Sequence, residues 1–362
     1  MAKQRTEKAR RILLTGGGTA GHVTPNLALL PRLQALGFEI HYIGRKTGIE
    51  RELMTQASIP YKGISAGKLR RYLDLRNVTD VALIALGFLQ SLVRIGQWRP
   101  DVLFSKGGFV SCPVVWAAWL YRVPIVVHES DLTPGLANKL SAPFARRICY
   151  SFAETGEHVP QGKAVHTGIP IRETLLRGDA AEGRRICGFA DHGPVVLVSG
   201  GSQGAEAINK AVRAALDELL PAFAVCHICG QGGMASELQG QPGYAQFEYV
   251  GPELAHLLAM ADVVVSRAGA TTLFELLALK KASLLIPLSR KASRGDQILN
   301  ARSFQTQGYS RVLAEEDLTP SSLVAGVADA YHGRQAMVEA MRSAATVDGL
   351  ERVLGVIVDC AR

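Results

Sequence analysis

The chain has 362 residues, of which 48% are hydrophobic and 6% aromatic, and its formal net charge is +8. This length is large for one hydrophobic core and sufficient for two domains. The basic balance favours anionic partners such as phosphates or an acidic membrane surface. No basic segment is interleaved with aromatic residues, which argues against nucleic acid as a partner.

The N-terminal segment MAKQRTEKARR is charged, and no apolar signal region follows it. The apolar runs VALIALGFL and PVVWAAWLY are shorter than the roughly 20 residues that a membrane-spanning helix needs. We therefore expect a soluble or peripheral protein. The one C-x-x-C pair, Cys226 and Cys229, has no second pair at zinc-site spacing, so we expect buried thiols and no metal.

Apolar, strand-like runs alternate with helix-period segments along the chain. RILLT precedes PNLALLPRLQALG, and EIHYIG, DVLFS and PIVVH follow. Near residue 195 the pattern restarts, because PVVLVSGGSQG repeats the plan of RILLTGGGTAG. This alternation predicts an α/β protein with two doubly wound parallel sheets, divided near HTGIPIRE.

The first glycine-rich turn, TGGGTAGHVTP, supports more than one interpretation. Gly16, Gly18 and Gly21 match G-x-G-x-x-G after a strand, a dinucleotide-binding pattern. An NAD site requires an acidic residue at the end of the second strand, whereas EIHYIGRK ends there in Gly44-Arg45, so only NADP would fit. A tight turn without ligand is the alternative, and His22 belongs to neither pattern.

Two further turns join predicted strands to helices. VSGGSQGAEA offers backbone N–H groups and the Ser202 hydroxyl to an anion, or is a plain turn. In SRAGATTLFE, Glu275 lies in the first turns of a helix. There the positive helix end either simply stabilises its carboxylate, or the carboxylate accepts hydrogen bonds from a sugar's vicinal hydroxyls.

Polar residues also follow two other strands. PIVVHESDLTPG ends in His128, Glu129 and Asp131, at the sheet edge where open α/β proteins bind ligands, although Asp131 also suits a turn. LSRKASRGDQILNA forms either a solvated loop or a loop that reads sugar hydroxyls, through Arg294, Asp296, Gln297 and Asn300. No D-x-D sequence occurs, so a leaving diphosphate is expected to rest on helix ends and glycine turns.

Five segments together resemble the MurG family of UDP-N-acetylglucosamine transferases. In order, they are GGGTAGHVTP, SKGGFVSCPVVWAAW, VVHESDLTPGLANKL, VSGGSQGAEAIN and SRAGATTLFELLALKKASLLIPL with RGDQILNA. The resemblance covers nearly the whole chain. It implies a glycosyltransferase-B fold, with two Rossmann-like domains facing a cleft. It also implies inverting, metal-independent transfer of GlcNAc from UDP-GlcNAc to undecaprenyl-pyrophosphoryl-MurNAc-pentapeptide, which converts lipid I to lipid II without a cofactor.

The resemblance carries site roles to individual positions. Glu275 matches the residue on the ribose hydroxyls, and Gln297 matches the residue that reads the donor sugar. The other donor-binding positions are Thr19, Ala20, Gly21, Arg172, Ser202, Val250, Ala270, Thr271, Thr272, Leu273 and Phe274. The positions expected to bind the acceptor pyrophosphate are Gly17, Gly18, Gly107 and Gly108. Asp131 stands where some relatives have an asparagine that touches the donor, so its role stays open.

Residues 1–168 are expected to form an acceptor and membrane-associated domain, against which a helix at about 345–362 packs. Residues 169–344 are expected to bind UDP-GlcNAc. The expected location is the cytoplasmic face of the cell membrane, on an anionic surface, with other cell-wall synthesis proteins as further partners. Residues between 68 and 99 predict a docking face, although most of the apolar set is explained by the core of the domain, and only the rest, with the arginines, would face the membrane. The set comprises Val81, Leu83, Ile84, Leu86, Phe88, Leu89, Arg70, Arg71, Arg76, Arg94 and Arg99.

The candidate general bases are His22, Glu129 and Asp131, with His128 less favoured. His22 follows a glycine turn at a helix N-terminus, whose positive end disfavours imidazolium; the alternative is that it only hydrogen-bonds the pyrophosphate. Other functions on the same architecture are a UDP-sugar 2-epimerase, a lipid glucosyltransferase, a non-catalytic nucleotide-binding subunit and an NADP oxidoreductase.

Overall fold

A computed structural model describes residues 9–67, 76–190, 193–201, 204–290, 293–344 and 348–361. The chain divides into two compact units, one formed by Met1–Arg172 with Asp348–Arg362 and the other by Glu173–Val347. The division falls at 172/173, four residues after the boundary expected at 168/169, so Arg172 belongs to the first unit.

The described strands of the first unit form one parallel sheet in the order β3-β2-β1-β4-β5-β6-β7. The strands are β1 (Arg11–Thr15), β2 (Glu39–Arg45), β3 (Tyr61–Ile64), β4 (Val102–Ser105), β5 (Ile125–Glu129), β6 (Arg147–Tyr150) and β7 (Ala164–His166). The helices are α1 (Thr24–Ala35), α2 (Ile49–Gln56), α3 (Arg76–Trp98), α4 (Ser111–Leu120) and α5 (Leu136–Ser141), with short 3₁₀ segments at Ala20–His22, Ala142–Phe144, Ala153–His158 and Gln161–Lys163.

The described strands of the second unit form a parallel sheet in the order β10-β9-β8-β11-β12-β13. They are β8 (Val195–Ser199), β9 (Ala224–Ile228), β10 (Tyr244–Phe247), β11 (Val263–Ser266), β12 (Ser283–Leu285) and β13 (Arg311–Val312). The helices are α6 (Ala180–Cys187), α7 (Glu206–Ala214), α8 (Leu216–Leu219), α9 (Leu254–Met260), α10 (Ala270–Leu279), α11 (Asp296–Thr306), α12 (Pro320–His332) and α13 (Arg334–Arg342), with 3₁₀ segments at Glu173–Arg177, Ser236–Leu238 and Glu315–Asp317. The predicted pair of doubly wound sheets is confirmed.

The last helix of the chain, α14 (Gly349–Cys360), packs into the core of the first unit. Val353 and Ile357 are fully buried in a cluster that contains Ile12 of β1 and Leu29 of α1. Successive side chains of a strand point to opposite faces, so the neighbouring Leu13 lies in the cluster under α3 and α4 instead. The two faces of the first sheet are therefore covered by different helices, and α14 closes one of them.

Helix α3 is longer than the apolar run VALIALGFL suggested, because it continues through QSLVRIGQW. Its part Thr79–Trp98 is long and apolar enough to cross a membrane by length and composition alone, and 17% of the apolar window is buried. The helix packs on α4 and β3, and its inner residues Ser91 and Ile95 are fully buried.

The packing of α14 makes a stability prediction. Ile357→Ala is expected to lower the free energy of unfolding of the first unit by about 2–5 kcal/mol, because a buried cavity replaces the side chain. Gly355→Ala in the same helix, where nothing lies within 4 Å of the added Cβ, is the matched control and is expected to stabilise by about 0.5–1 kcal/mol. Urea unfolding followed by tryptophan fluorescence reports the first unit selectively, because Trp98, Trp116 and Trp119 all belong to it. Equal stability of the two variants would contradict the core position of α14.

Candidate functional site

Each sheet has one point at which the strand order reverses, and the loops there come from neighbouring strands. In the first sheet this point lies between β1 and β4, and in the second between β8 and β11. Crossover helices leave in opposite directions on the two sides of such a point, which opens a crevice at the carboxyl ends of the strands. The three turns predicted from sequence follow β1, β8 and β11, and Gly107 and Gly108 follow β4.

The two glycine turns of the first unit touch each other. A Cβ added to Gly108 would lie 2.3 Å from the carbonyl oxygen of Gly17, so the contact requires glycine at position 108. Gly18, Gly107 and Gly108 have φ values of +93°, +91° and +84°, which L side chains rarely adopt. The structure thus brings the four positions expected to bind a pyrophosphate into one place, as a backbone surface without side chains.

His22 ends the 3₁₀ segment Ala20–His22, just before α1. The ring is half-buried, and its Nδ1 lies 2.9 Å from the Thr19 hydroxyl oxygen. Its backbone carbonyl lies 2.9 Å from the position a Cβ on Gly16 would take. Val23 occupies the N-cap position of α1, which begins at Thr24. His22 therefore lies beside the first glycine turn, tethered by Thr19.

Glu129 is 4% exposed, and its carboxylate already accepts three hydrogen bonds. The donors are the backbone N–H of Asp131 at 3.0 Å, the backbone N–H of Gly135 at 2.9 Å and the Asn138 amide at 2.8 Å. Burial, followed by the nearby Asp131 carboxylate, raises the pKa of Glu129, and the hydrogen bond from Asn138 opposes that shift. Through these contacts, the Glu129 carboxylate holds the loop after β5 in place. The neighbouring Asp131 is less buried, being half-buried.

His128 is a core histidine. It is fully buried, and its Nε2 lies 2.8 Å from the Gly168 carbonyl oxygen. Since a carbonyl only accepts, Nε2 carries the proton. Burial, with Lys106 second, holds the pKa of His128 well below its usual value. This environment argues against the imidazole as a proton acceptor for an exposed ligand.

Three charged or polar side chains beneath the turns were missed by sequence reasoning. Asn138 lies beside Gly107, with its amide oxygen 2.9 Å from the position of an added Cβ. A carboxylate oxygen of Glu50 lies 2.6 Å from the corresponding position on Gly17. Lys106, directly before Gly107, is 1% exposed. Only the adjacency of Lys106 to the glycine pair was visible in the sequence.

In the second unit, Glu275 lies in the second turn of α10, since that helix starts at Ala270. This position agrees with the expectation that it lies in the first turns of the helix. It lies beyond the first turn, where the positive helix end acts most strongly. Thr271, Thr272 and Glu275 are half-buried, whereas Ala270, Leu273 and Phe274 are buried. The exposed edge of α10 thus presents two hydroxyls and a carboxylate.

Gln297 lies in the first turn of α11, and its Oε1 accepts a hydrogen bond from the Leu288 backbone at 3.0 Å. This contact fixes the amide orientation and leaves its NH₂ group without a partner among the described residues. Asn300 and Asp296, from the same segment, are buried and half-buried respectively, and Asp296 pairs with Arg294 at 2.6 Å.

The remaining donor candidates are Ser202, Val250 and Arg172. Ser202 lies outside the described residues. Val250 is half-buried after β10, and Arg172 is half-buried at the end of the first unit. In the described part of the chain, no three or more His, Cys, Asp or Glu side chains form a group able to hold a metal. Cys226 and Cys229 are buried as free thiols.

Comparison with known proteins adds to this geometry. Residues 12–150 match the glycosyltransferase family 28 N-terminal domain, and residues 195–353 match the family's C-terminal domain. A Geobacillus kaustophilus protein is 52% identical over 354 residues, which cover 98% of this chain and 99% of that protein. A Clostridium kluyveri protein is 50% identical over 348 residues, covering 96% and 99%. Both are named UDP-N-acetylglucosamine--N-acetylmuramyl-(pentapeptide) pyrophosphoryl-undecaprenol N-acetylglucosamine transferase.

The crystal structure of Acinetobacter baumannii MurG aligns with a TM-score of 0.74 at 24% identity, covering 97% of this chain and 99% of that one, and supports the fold. The two doubly wound sheets have the glycosyltransferase-B fold, and the matches to both domains of family 28 identify the chain as a glycosyltransferase. By its extended identity to the relatives above, the chain belongs to the MurG family, within glycosyltransferase family 28.

Proposed function

We propose that the protein transfers GlcNAc from UDP-GlcNAc to the MurNAc of undecaprenyl-pyrophosphoryl-MurNAc-pentapeptide, converting lipid I to lipid II with inversion at the anomeric carbon. The observation that carries this proposal is about 50% identity, over 96% of the chain, to relatives named for that transfer. Both halves of the chain, each with its glycine-rich turns, are present in one polypeptide, which disfavours a non-catalytic subunit.

The direct test is transfer of labelled GlcNAc from UDP-GlcNAc to a lipid I analogue, with and without chelator. We expect one disaccharide product, with unchanged rate in chelator because the chain has no D-x-D sequence to hold a metal. Formation of UDP-ManNAc would indicate an epimerase, and transfer from UDP-glucose a lipid glucosyltransferase. Nicotinamide-cofactor binding without transfer would support the oxidoreductase alternative.

The first unit is proposed to hold the acceptor. Its touching turns bring glycine backbone from two strand ends together, and concave backbone surfaces with successive N–H groups favour anions. The acceptor pyrophosphate would lie on Gly17, Gly18, Gly107 and Gly108. Their lack of side chains permits close approach of a diphosphate. A Cβ on Gly18 would also crowd the Phe109 ring, at 3.1 Å.

The second unit is proposed to hold the donor, through the turn after β8 and the N-terminal end of α10. The positive end of α10 is suited to the pyrophosphate of the leaving UDP. Glu275 would accept hydrogen bonds from the ribose hydroxyls, and the NH₂ group of Gln297 would donate to the hexosamine. Val250 is proposed to lie against the uracil.

Glu275 supplies a test of the donor site. A charge-assisted hydrogen bond contributes about 1.5–3 kcal/mol, so Glu275→Ala is expected to lower kcat/KM for UDP-GlcNAc roughly 10- to 100-fold. Glu237→Ala removes an exposed glutamate of the same unit and is expected to leave the value unchanged. Steady-state kinetics with a saturating acceptor analogue measures both. Unchanged KM and kcat for Glu275→Ala would contradict the assignment of Glu275 to the ribose hydroxyls.

The attacking hydroxyl of the acceptor needs a proton acceptor in the transition state. We propose His22, because it lies beside the acceptor turn and is half-buried, whereas Glu129 is buried and committed to its loop. Asp131 is the second candidate. The Thr19 hydroxyl oxygen, 2.9 Å from Nδ1 of His22, orients the ring.

His22→Ala distinguishes a base from a binding residue. A positioned base contributes about 10²–10⁴-fold, so kcat is expected to fall by at least about 10², with near-normal donor KM. A residue that only binds pyrophosphate would instead raise acceptor KM. Should His22→Ala keep kcat within a fewfold at saturating acceptor, the base is to be sought at Asp131, and then at Glu129.

The protein is proposed to work peripherally on the cytoplasmic membrane face, docked through α3 and the end of α4. Val81, Leu86 and Leu89 are 56%, 45% and 58% exposed, and Leu83 and Val93 are exposed as well. Ile84 and Phe88 are half-buried, and Phe88 packs on the core. The predicted set thus divides between core and surface.

Aromatic residues extend this apolar surface in a way the sequence analysis did not foresee. Trp119, Leu120 and Tyr121, at the end of α4, are each about half exposed. Tyr121 and Val93 line one cavity of about 650 Å³, with the exposed Arg99 at its rim. Tryptophan and tyrosine favour the membrane–water interface. The predicted Arg70 and Arg71 lie outside the described residues, and Arg76 begins α3.

Membrane docking is tested by sedimentation with anionic and neutral vesicles. Arg94→Gln/Arg99→Gln is expected to weaken anionic-vesicle binding about tenfold or more, since each basic residue near an acidic surface contributes about 1 kcal/mol. Leu86→Ser/Leu89→Ser is expected to weaken binding to either vesicle. Leu36→Ser, an exposed leucine at the end of α1, is the control. Salt-independent binding, equal for both vesicle types, would contradict an electrostatic docking face.

A further inference from the structure

Lys106 occupies an unusual position for a lysine. It directly follows β4, is 1% exposed, and its backbone N–H donates to the Thr15 carbonyl at the end of β1 at 2.9 Å. Its Nζ donates a hydrogen bond to the Ser130 hydroxyl, in the loop after β5. One residue thereby links the carboxyl ends of three adjacent strands, directly beneath both glycine turns.

The groups that face this ammonium come from several elements. Glu129 and Asp131, at the end of β5 and in the loop after it, stabilise the charge, while burial lowers the pKa of Lys106 to about 8. From β6 the Cys149 thiol lies nearby, and burial raises its pKa to about 12. The neutral His128 of β5 completes the surroundings.

The glycine turns above Lys106 have carboxylates close to them. Glu50 reaches Gly17, and Glu129 holds Asn138 beside Gly107. On the outer edge, the Arg45 guanidinium lies 5.4 Å from the ring centroid of Phe109 and is half-buried. Among the described residues, Lys106 is therefore the buried cation next to the turns, whereas Arg45 lies at their outer edge.

We propose that Lys106 is a positioning residue of the acceptor site, whose buried ammonium holds the loop after β5 against the glycine turns and offsets the carboxylates beneath a bound diphosphate. The inference rests on the proposed function and adds to it a residue that does not touch the acceptor. A buried charge acts at a distance here, because interactions are screened less in the interior than in water. Without it, the carboxylates of Glu50, Glu129 and Asp131 would lie near a bound diphosphate with no buried cation among them.

The test uses Lys106→Met, which keeps the length of the side chain and removes its charge. Acceptor KM is expected to rise about tenfold, with donor KM unchanged. Lys281→Met is the matched control, because Lys281 is a half-buried lysine of the second unit that donates to the Ala259 and Ala261 carbonyls. It is expected to change stability without changing acceptor KM.

The pH dependence separates a charge effect from a packing effect. Lys106 loses its proton as the pH rises through about 8, so acceptor KM of the unsubstituted protein is expected to rise between pH 7 and 9. Lys106→Met is expected to lack that rise. Ser130→Ala, which removes the hydrogen bond and keeps the charge, is expected to retain it with a smaller effect on KM. An acceptor analogue with its peptide amine acetylated avoids titration of the substrate itself.

Three results would overturn the proposal. One is an unchanged acceptor KM in a folded Lys106→Met variant. Another is a Lys106→Met profile that keeps the rise above pH 8. The third, which holds even if that variant fails to fold, is a flat acceptor KM from pH 7 to 9 in the unsubstituted protein. Failure of the unsubstituted protein to transfer GlcNAc would count against the proposed function instead.

Discussion

The contact between Gly17 and Gly108 is the constraint on which the first unit's site depends. The Gly17 carbonyl occupies the space next to Gly108 in which any other residue would place its Cβ. Two turns from adjacent strands thereby merge into one backbone surface at the point where strand order reverses. Polar backbone groups in such a surface need partners, and an anionic ligand is the partner that their N–H groups favour.

Charged side chains of both signs lie beneath that surface. Carboxylates from α2 and β5 lie against the turns, and the buried Lys106 lies among them. Burying charged groups is costly unless they are paired and hydrogen-bonded, and here Glu129 has three donors while Lys106 donates to Ser130. Such a network fixes the loop after β5 and leaves His22 and Asp131 as the more accessible ionisable groups beside the turns.

Helix α3 combines two tasks that the sequence alone could not separate. Its inner face, with Ser91 and Ile95, completes the core under the first sheet, and its outer face exposes Val81, Leu86 and Leu89 to solvent. Apolar residues exposed in a contiguous group commonly mark an interaction surface. The position of α4 beside α3 extends that group through its own C-terminal aromatic residues.

The sequence by itself determined the fold class, because strand–helix alternation and the repeated strand–glycine–helix plan leave little choice other than two doubly wound parallel sheets. It also identified the glycine turns, since a backbone that approaches a ligand or another backbone closely excludes side chains. Tertiary structure decided what depends on contacts between distant segments. It buried Glu129 and His128, placed Glu50 and Lys106 beneath the turns, and divided α3 between core and surface. Burial and hydrogen bonding set the charge and availability of such groups, and neither is encoded in the spacing of residues along the chain.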